Sequence, residues 1–546
     1  AAQTLVFDAI ESSAGSAQLQ AGAALTGQTL KTAQDAQATA GGDLSISTLQ
    51  TGGNAALLAG GTLSVTQAQS GQNMLLQGVG QVQAEVLNAG AALDITSTEG
   101  DVTLGQTTSV DNTTVGAAQT LVFDAIESSA GSAQLQAGAA LMGQTLKTAQ
   151  DAQATAGGDL SIHTLQAGGS AALLAGGHMT VSTLTVAGHT TAQAQGDMSG
   201  DTWRLGQGLA ASMRDGQFGT LIADDGDIVL DAGRDLTLGV VRVQGADHGL
   251  RASAGRDIRA QDIRSAGFVD MFAGNTLSVI ELEAPRVRLE SIGAMTLDVL
   301  RADRAELLSA TELLLKQGRI GSALGMYSPR ITANVQHTRS DAPMEFQLGG
   351  YGSNPVIAQA DITVNSAQPL RVPAFDITNG TFRLNVPSYR LDGMLVGEVV
   401  NVFSQGLHTQ IDNLVPRLPV NGVDLTLYDP GRRFMLMQQP TGMYTTAYAV
   451  AGRVALPVFI GNYTFERDPE PLNASGTTVI TVNTLLPTYP ADLGFSRQIQ
   501  LADNLRVDDR FDVALDKALS QPTAAGPAVE TEEEDEPLIE VQTSSL

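Results

Sequence analysis

The sequence predicts an all-β protein, most of it a parallel β-solenoid with coils of about 19 residues, followed by a β-rich C-terminal domain. Three observations carry that prediction. Glycine is frequent, 59 of 546 residues, and spread along the chain, which argues against long helices. Ala1 to Gly61 recurs as Ala117 to Gly177, and only four of the 61 positions differ: Thr26/Met142, Ser47/His163, Thr51/Ala167 and Asn54/Ser170. Within that repeat lies a shorter one. Gly42, Gly61, Gly80, Gly100, Gly138, Gly158 and Gly177 punctuate the chain, with Gln119 filling one gap.

A long duplication that tolerates lengthening suits a quasi-one-dimensional stack, in which each unit touches only its neighbours. An apolar residue follows each punctuating position two or three residues on: Leu44, Leu63, Val82, Val102, Leu121, Leu141, Leu160 and Met179. Two residues further on sit Ile46, Val65, Leu104, Phe123, Ile162 and Val181, with Ala84 and Gly143 the weak members. Apolar residues two apart share one face of a strand. The Ser, Thr and Gln between them suit the outer face. Each unit therefore reads as one coil of two or three short strands. Glycine is expected at the corners for its freedom to take positive φ. Leu44, Leu63 and Val82 are expected in one interior ladder. About 17 coils fit before residue 340, at roughly 4.8 Å each.

Composition divides the chain. All 19 prolines lie at or after Pro285, every tyrosine at or after Tyr327, and no arginine precedes Arg204. Proline is excluded from interior coils because it cannot donate a ladder hydrogen bond. Three regions follow: a solenoid over 1–342, a β-rich region over 343–518 that caps it or forms its tip, and an acidic tail over 519–546. In the second region the 19-residue phase is lost from about Met344. Strands are expected at Thr381–Val386, Val423–Tyr428 and Thr478–Val482, and a short helix or irregular coil at Val396–Asn413. The tail carries Glu530, Glu532, Glu533, Glu534, Asp535, Glu536 and Glu540. It reads as a solvated end, with docking through Pro537–Val541 as the alternative.

The formal net charge of −27 excludes a phosphate-neutralising nucleic-acid binder. The absence of cysteine excludes disulfides, thiolate metal sites and cysteine nucleophiles. No run of about 18 apolar residues marks a membrane helix. The first residues lack a basic start and an apolar secretion segment, so the chain reads as processed or cut from something longer.

The motifs Ala40–Ile46 (AGGDLSI), Ala59–Val65 (AGGTLSV) and Ala232–Leu238 (AGRDLTL) resemble the haemagglutinin repeats of filamentous haemagglutinin-like exoproteins, over about residues 1–320. The resemblance implies a right-handed parallel β-helix shaft in a large, secreted bacterial surface adhesin. It implies export by two-partner secretion through an outer-membrane transporter, and roles in adhesion and biofilm. The family's Asn-Pro-Asn-Gly secretion signature is absent, the nearest dipeptide being Asn354-Pro355, so the chain reads as the C-terminal part of such a protein. A toxin-like terminal motif is also absent, which weighs against the stalk of a contact-dependent inhibition exoprotein.

Sequence motifs for catalysis are missing: no Gly-x-Ser-x-Gly, no phosphate-cradling loop and no His-Glu-x-x-His. The reading is a non-enzyme without cofactor or metal. The best acidic cluster, Asp224, Asp225 and Asp227, reads as a solvated turn around Gly226, with cation binding as the alternative. The histidines His163, His178, His189, His248, His337 and His408 read as scatter. Exposed shaft positions are mostly Gln, Thr, Ser, Ala and Asn and are expected to form no single pocket. Recognition is therefore expected within 344–518, which holds 16 of the 23 aromatic residues. Its candidate surface is Tyr428, Arg432, Arg433, Tyr444, Tyr448 and Tyr463, residue types favoured at recognition surfaces. The partners so implied are surface or matrix glycans or proteins, or other copies of the chain. A glycan-binding or glycan-cleaving β-helix, tailspike-like, is the alternative.

Overall fold

The computed structural model describes residues 3–352 and 357–368, together with the backbone of strand segments as far as Val507. Among them every regular element is a strand, and no helix is long and apolar enough to cross a membrane. The chain folds as two compact units, Ala1–Gly274 and Asn275–Leu546.

The first unit is a parallel solenoid of fourteen coils, each an eight-residue strand followed by one of five or six residues. The strand Leu44–Thr51 pairs in register with Leu63–Ser70, and that with Val82–Ala89. Leu44, Leu63 and Val82 stack as one fully buried ladder, as the period predicts. The eight-residue strand is bent. In Leu44–Thr51 the inward positions are Leu44, Ile46, Leu49 and Thr51, and the consecutive Ser47 and Thr48 both face outward. Pairing skips Ser47 at this point, so the chain turns a corner inside the strand. Ala55, Leu57 and Ala59 of the next strand line the third wall.

The corner glycines act through space, not through φ. Among the described residues the only glycine at positive φ is Gly352. A Cβ on Gly60 would stand 2.3 Å from the carbonyl oxygen of Gly41, and one on Gly41 would stand 2.4 Å from that of Gly22. At these corners the carbonyl of the preceding coil leaves no room for a Cβ, whereas Val79 and Thr98 take the equivalent place in the next two coils. The weak ladder member Gly143 has a similar cause. A Cβ there would lie 2.0 Å from Phe123 Cζ of the preceding coil, so the glycine makes room for that ring. Gly27 and Phe7 repeat the pair in the first copy.

One inward column is polar. Thr32, Thr51 and Ser70 are buried, and each hydroxyl donates to the carbonyl of its own corner: Thr32 to Gln34 at 2.9 Å, Thr51 to Gly53 at 2.8 Å and Ser70 to Gln72 at 3.0 Å. Outer corner residues tie coils together. Asp43 Oδ1 accepts the Thr62 N–H at 2.8 Å, Asp101 that of Thr120 at 2.9 Å, and Asp159 that of His178 at 2.7 Å. These bonds explain the Asp of the Gly-Gly-Asp-Leu motif. Trp203 is fully buried, donates its indole N–H to Val181 O at 2.7 Å and meets Phe218 edge-on at 5.1 Å.

In the second unit the two strands of a coil merge into single fifteen-residue strands: Leu277–Ser291, Met295–Ser309 and Leu313–Tyr327. The corner between them has shrunk. Pairing of the first two skips Pro285, which lies exposed where no ladder donor is needed. Parallel stacking runs on past residue 342. Glu345–Gly349 pairs with Ala323–Tyr327, and Gln359–Asn365 with Arg330–Gln336. The phase slips because one coil is longer: Ile331 stacks on Ala360, and Ala360 on Gly380. Pairing turns antiparallel later, between Asp424–Asp429 and Arg432–Gln438. The expected strands recur as Gly380–Asn385, Asp424–Asp429 and Thr478–Ile480. Val396–Asn413 holds the strands Val399–Phe403 and Thr409–Asp412 in place of the helix or coil its sequence suggests. The acidic tail lies outside the described residues.

Candidate functional site

The predicted recognition residues fall partly on one antiparallel sheet. Tyr428 stands opposite Arg433 in its register, and Tyr448 opposite Met435. Arg432 lies in the same strand as Arg433, opposite Asp429. Tyr444 and Tyr463 lie outside the described residues.

The acidic turn around Gly226 is met by arginine and histidine side chains. Arg204 Nη2 lies 3.3 Å from Asp224. His248 bridges Asp225 and Asp227 at 3.4 Å each, and Arg251 reaches Asp227 at 3.3 Å. Among the described residues no three or more His, Asp or Glu side chains converge as a metal site.

The histidines do not form one group. His163, His178 and His189 are exposed, and the last two occupy different corners of the coil. His178 Nδ1 accepts the Asp197 N–H at 3.1 Å. His337 is buried, its Nδ1 lies 2.7 Å from Ser366 Oγ, and burial pushes its pKa below the ordinary value. It stacks inward at the corner of its coil, a polar pair closing the interior. His408 lies outside the described residues.

Sequence reading missed a ladder of ion pairs on the corner before the eight-residue strand. Arg214 grips Asp197 through two bonds of 2.8 and 3.0 Å, and Arg234 grips Asp215 through two of 3.0 and 2.5 Å. Arg256 grips Asp235 in the same way. Hydrogen bonds from Arg234 and Arg256 hold Asp215 and Asp235 below the usual carboxylate range. The signal was the Gly-Arg-Asp triplet at 233–235 and 255–257, one coil apart.

The shaft also carries a groove, on the wall built by the short strands. It spans the strands Ala152–Ala156 through Ile228–Ala232, encloses about 490 Å³ and is open to solvent. Its floor is low because Ala172, Thr191 and Ala210 stack in one outward column. Leu174 and Val229 offer exposed apolar surface, 43% and 36% accessible. Gln153, Gln193 and Ser212 supply amide and hydroxyl groups along it. The coils 116 residues earlier lack these features: Leu75 and Asp94 stand at the coil positions of Thr191 and Ala210.

The fold and surface define a parallel β-solenoid protein. The chain matches no family model, no curated protein and no solved structure.

Proposed function

We propose that this chain is the structural and adhesive part of a large secreted bacterial surface protein. The observation that carries this reading is the in-register duplication. A stretch of 61 residues recurs 116 residues, six coils, further on without disturbing the ladder: Leu5 and Leu121 occupy the same coil position. A fold that lengthens by whole coils suits a spacer, whereas a catalytic cleft needs unique loops. The resemblance of the repeat motifs to filamentous haemagglutinin-like exoproteins supports the same reading. On it the protein reaches the surface of a Gram-negative bacterium through an outer-membrane two-partner secretion transporter. There it attaches to glycans, proteins or its own copies in a matrix, without catalysis.

The test is attachment and turnover together. Beads coated with the chain are scored for binding to host cells, to bacterial matrix and to each other. The soluble chain is incubated with a polysaccharide panel and assayed for new reducing ends and unsaturated products. Attachment without cleavage is expected. Cleavage of any polysaccharide would replace this reading with the glycan-processing one.

A further inference from the structure

We propose that the groove over residues 152–232 binds a linear, uncharged polysaccharide lying along the solenoid axis. The proposal deepens the adhesive reading, on which it rests, by naming the class of ligand. The groove crosses five coils, a length of about 19 Å at the strand spacing. Polar side chains come from four of its five coils, Gln153 and Thr155, Thr191 and Gln193, Ser212, and Asp231, and the coil spacing is close to the repeat of an extended β-linked hexose chain. Gln153, Gln193 and Ser212 can donate to and accept from sugar hydroxyls, while Ala172, Leu174 and Val229 offer flat apolar contact for the ring C–H faces.

Charge and hydrogen bonding select this occupant. The only ionisable group lining the groove is Asp231, at one end, with Oδ1 accepting from Ser253 Oγ at 2.6 Å. A neutral lining with one carboxylate gives an anionic glycan nothing to pair with and repels it at that end. Backbone N–H and C=O groups of these strands are used in the parallel ladder. A peptide laid on this face would therefore find no main-chain partners and would leave its amides against Ala172, Leu174 and Val229, an unfavourable burial. A glycan keeps its outer hydroxyls in water on the open side.

The coils six turns earlier supply the control. Leu75 and Asp94 occupy these positions in two successive coils of the same fold, so Thr191→Leu with Ala210→Asp fills the groove with residues the solenoid already carries. The full chain and this double variant are titrated calorimetrically with cellohexaose, laminarihexaose and mannohexaose, and with hexagalacturonate as the anionic probe. Gln193→Ala is a milder second variant. The expected result is binding of at least one neutral hexasaccharide, weakened tenfold or more in the double variant, with an unchanged far-UV spectrum. Absence of neutral binding, equal binding by chain and variant, or preference for hexagalacturonate would overturn the proposal. So would sedimentation showing that the double variant dissolves a dimer, which would assign the groove to a second copy. Cell attachment without oligosaccharide binding would sink the groove and leave the adhesive reading standing. Oligosaccharide binding without attachment would do the reverse.

Discussion

Residues 25–120 and residues 197–262 wind the same coil and close it with different corners. In the first stretch a carboxylate or amide side chain accepts a backbone N–H from the next coil, as Asp43 does from Thr62 and Asn73 does from Ala92. In the second, Asp215 and Asp235 still accept an N–H from the next coil, and Asp197, Asp215 and Asp235 are each also clamped by an arginine of the following coil. The walls are alike: Leu44 and Leu236 are both fully buried at the first position of their strands. The difference teaches that the interior sets the fold and the corner sets its response to conditions. The outward side chains of the corners vary because they lie outside the core.

The largest expected effect tests the shared part. Leu63→Asp and Leu236→Asp should each destabilise by several kcal/mol, because each buries an unpaired charge. Equal losses in denaturant unfolding would support a common core. A marked difference would show that the two stretches differ inside as well as at the corners.

A smaller effect separates the second unit. His337 has a folded pKa below its unfolded value of about 6.5 because it is buried. A depressed base binds its proton more readily when unfolded. Its region should therefore be fully stable above that value and lose stability as pH falls through about 6.5 toward the folded pKa. Hydrogen exchange of amides 330–337 and 359–365 at pH 7.5 and pH 5.5 would show it. His337→Asn should flatten the difference.

The corner carboxylates act at lower pH. Asp215 and Asp235 are held down by Arg234 and Arg256, so their contribution is present above the unfolded value of about 3.9 and is lost as pH falls through the lower folded pKa. Exchange in 209–262 should accelerate only under acid conditions, and Asp235→Asn should remove that acid dependence at its own corner. The smallest effect is that of salt. These pairs are largely solvent-exposed and screened, so 1 M sodium chloride should quicken exchange slightly at 214–257 and not at 44–104. Equal response of both stretches would break the comparison.

What the sequence revealed follows the same division. The ladder Leu44–Leu63–Val82 was legible because inward residues recur at the coil period. The reason for glycine at Gly41 and Gly60 was not, because the close approach is between coils and no local pattern encodes it. The buried polar column at Thr51 and Ser70 carried no apolar signal, because these hydroxyls close the interior by bonding to their own corners. The groove was hidden because it depends on Ala172, Thr191 and Ala210 standing in one column, 19 residues apart, each ordinary in its own strand. The tyrosine and arginine surface of the second unit rests on residue type, and among the described residues of that set backbone register joins only Tyr428 and Arg433 as direct partners.

The central claim is that whole coils are exchangeable units. Removing residues 41–156 joins Ala40 to Gly157 and restores the corner sequence, because Gly41 and Gly157 are equivalent in the two copies. Spin labels at Gln20 and Gln193 occupy the same outward column nine coils apart. The account predicts that their separation falls from about 43 Å to about 14 Å, six coils at roughly 4.8 Å each, in a chain that still unfolds cooperatively. An unfolded product, or a separation that stays near its original value, would contradict it.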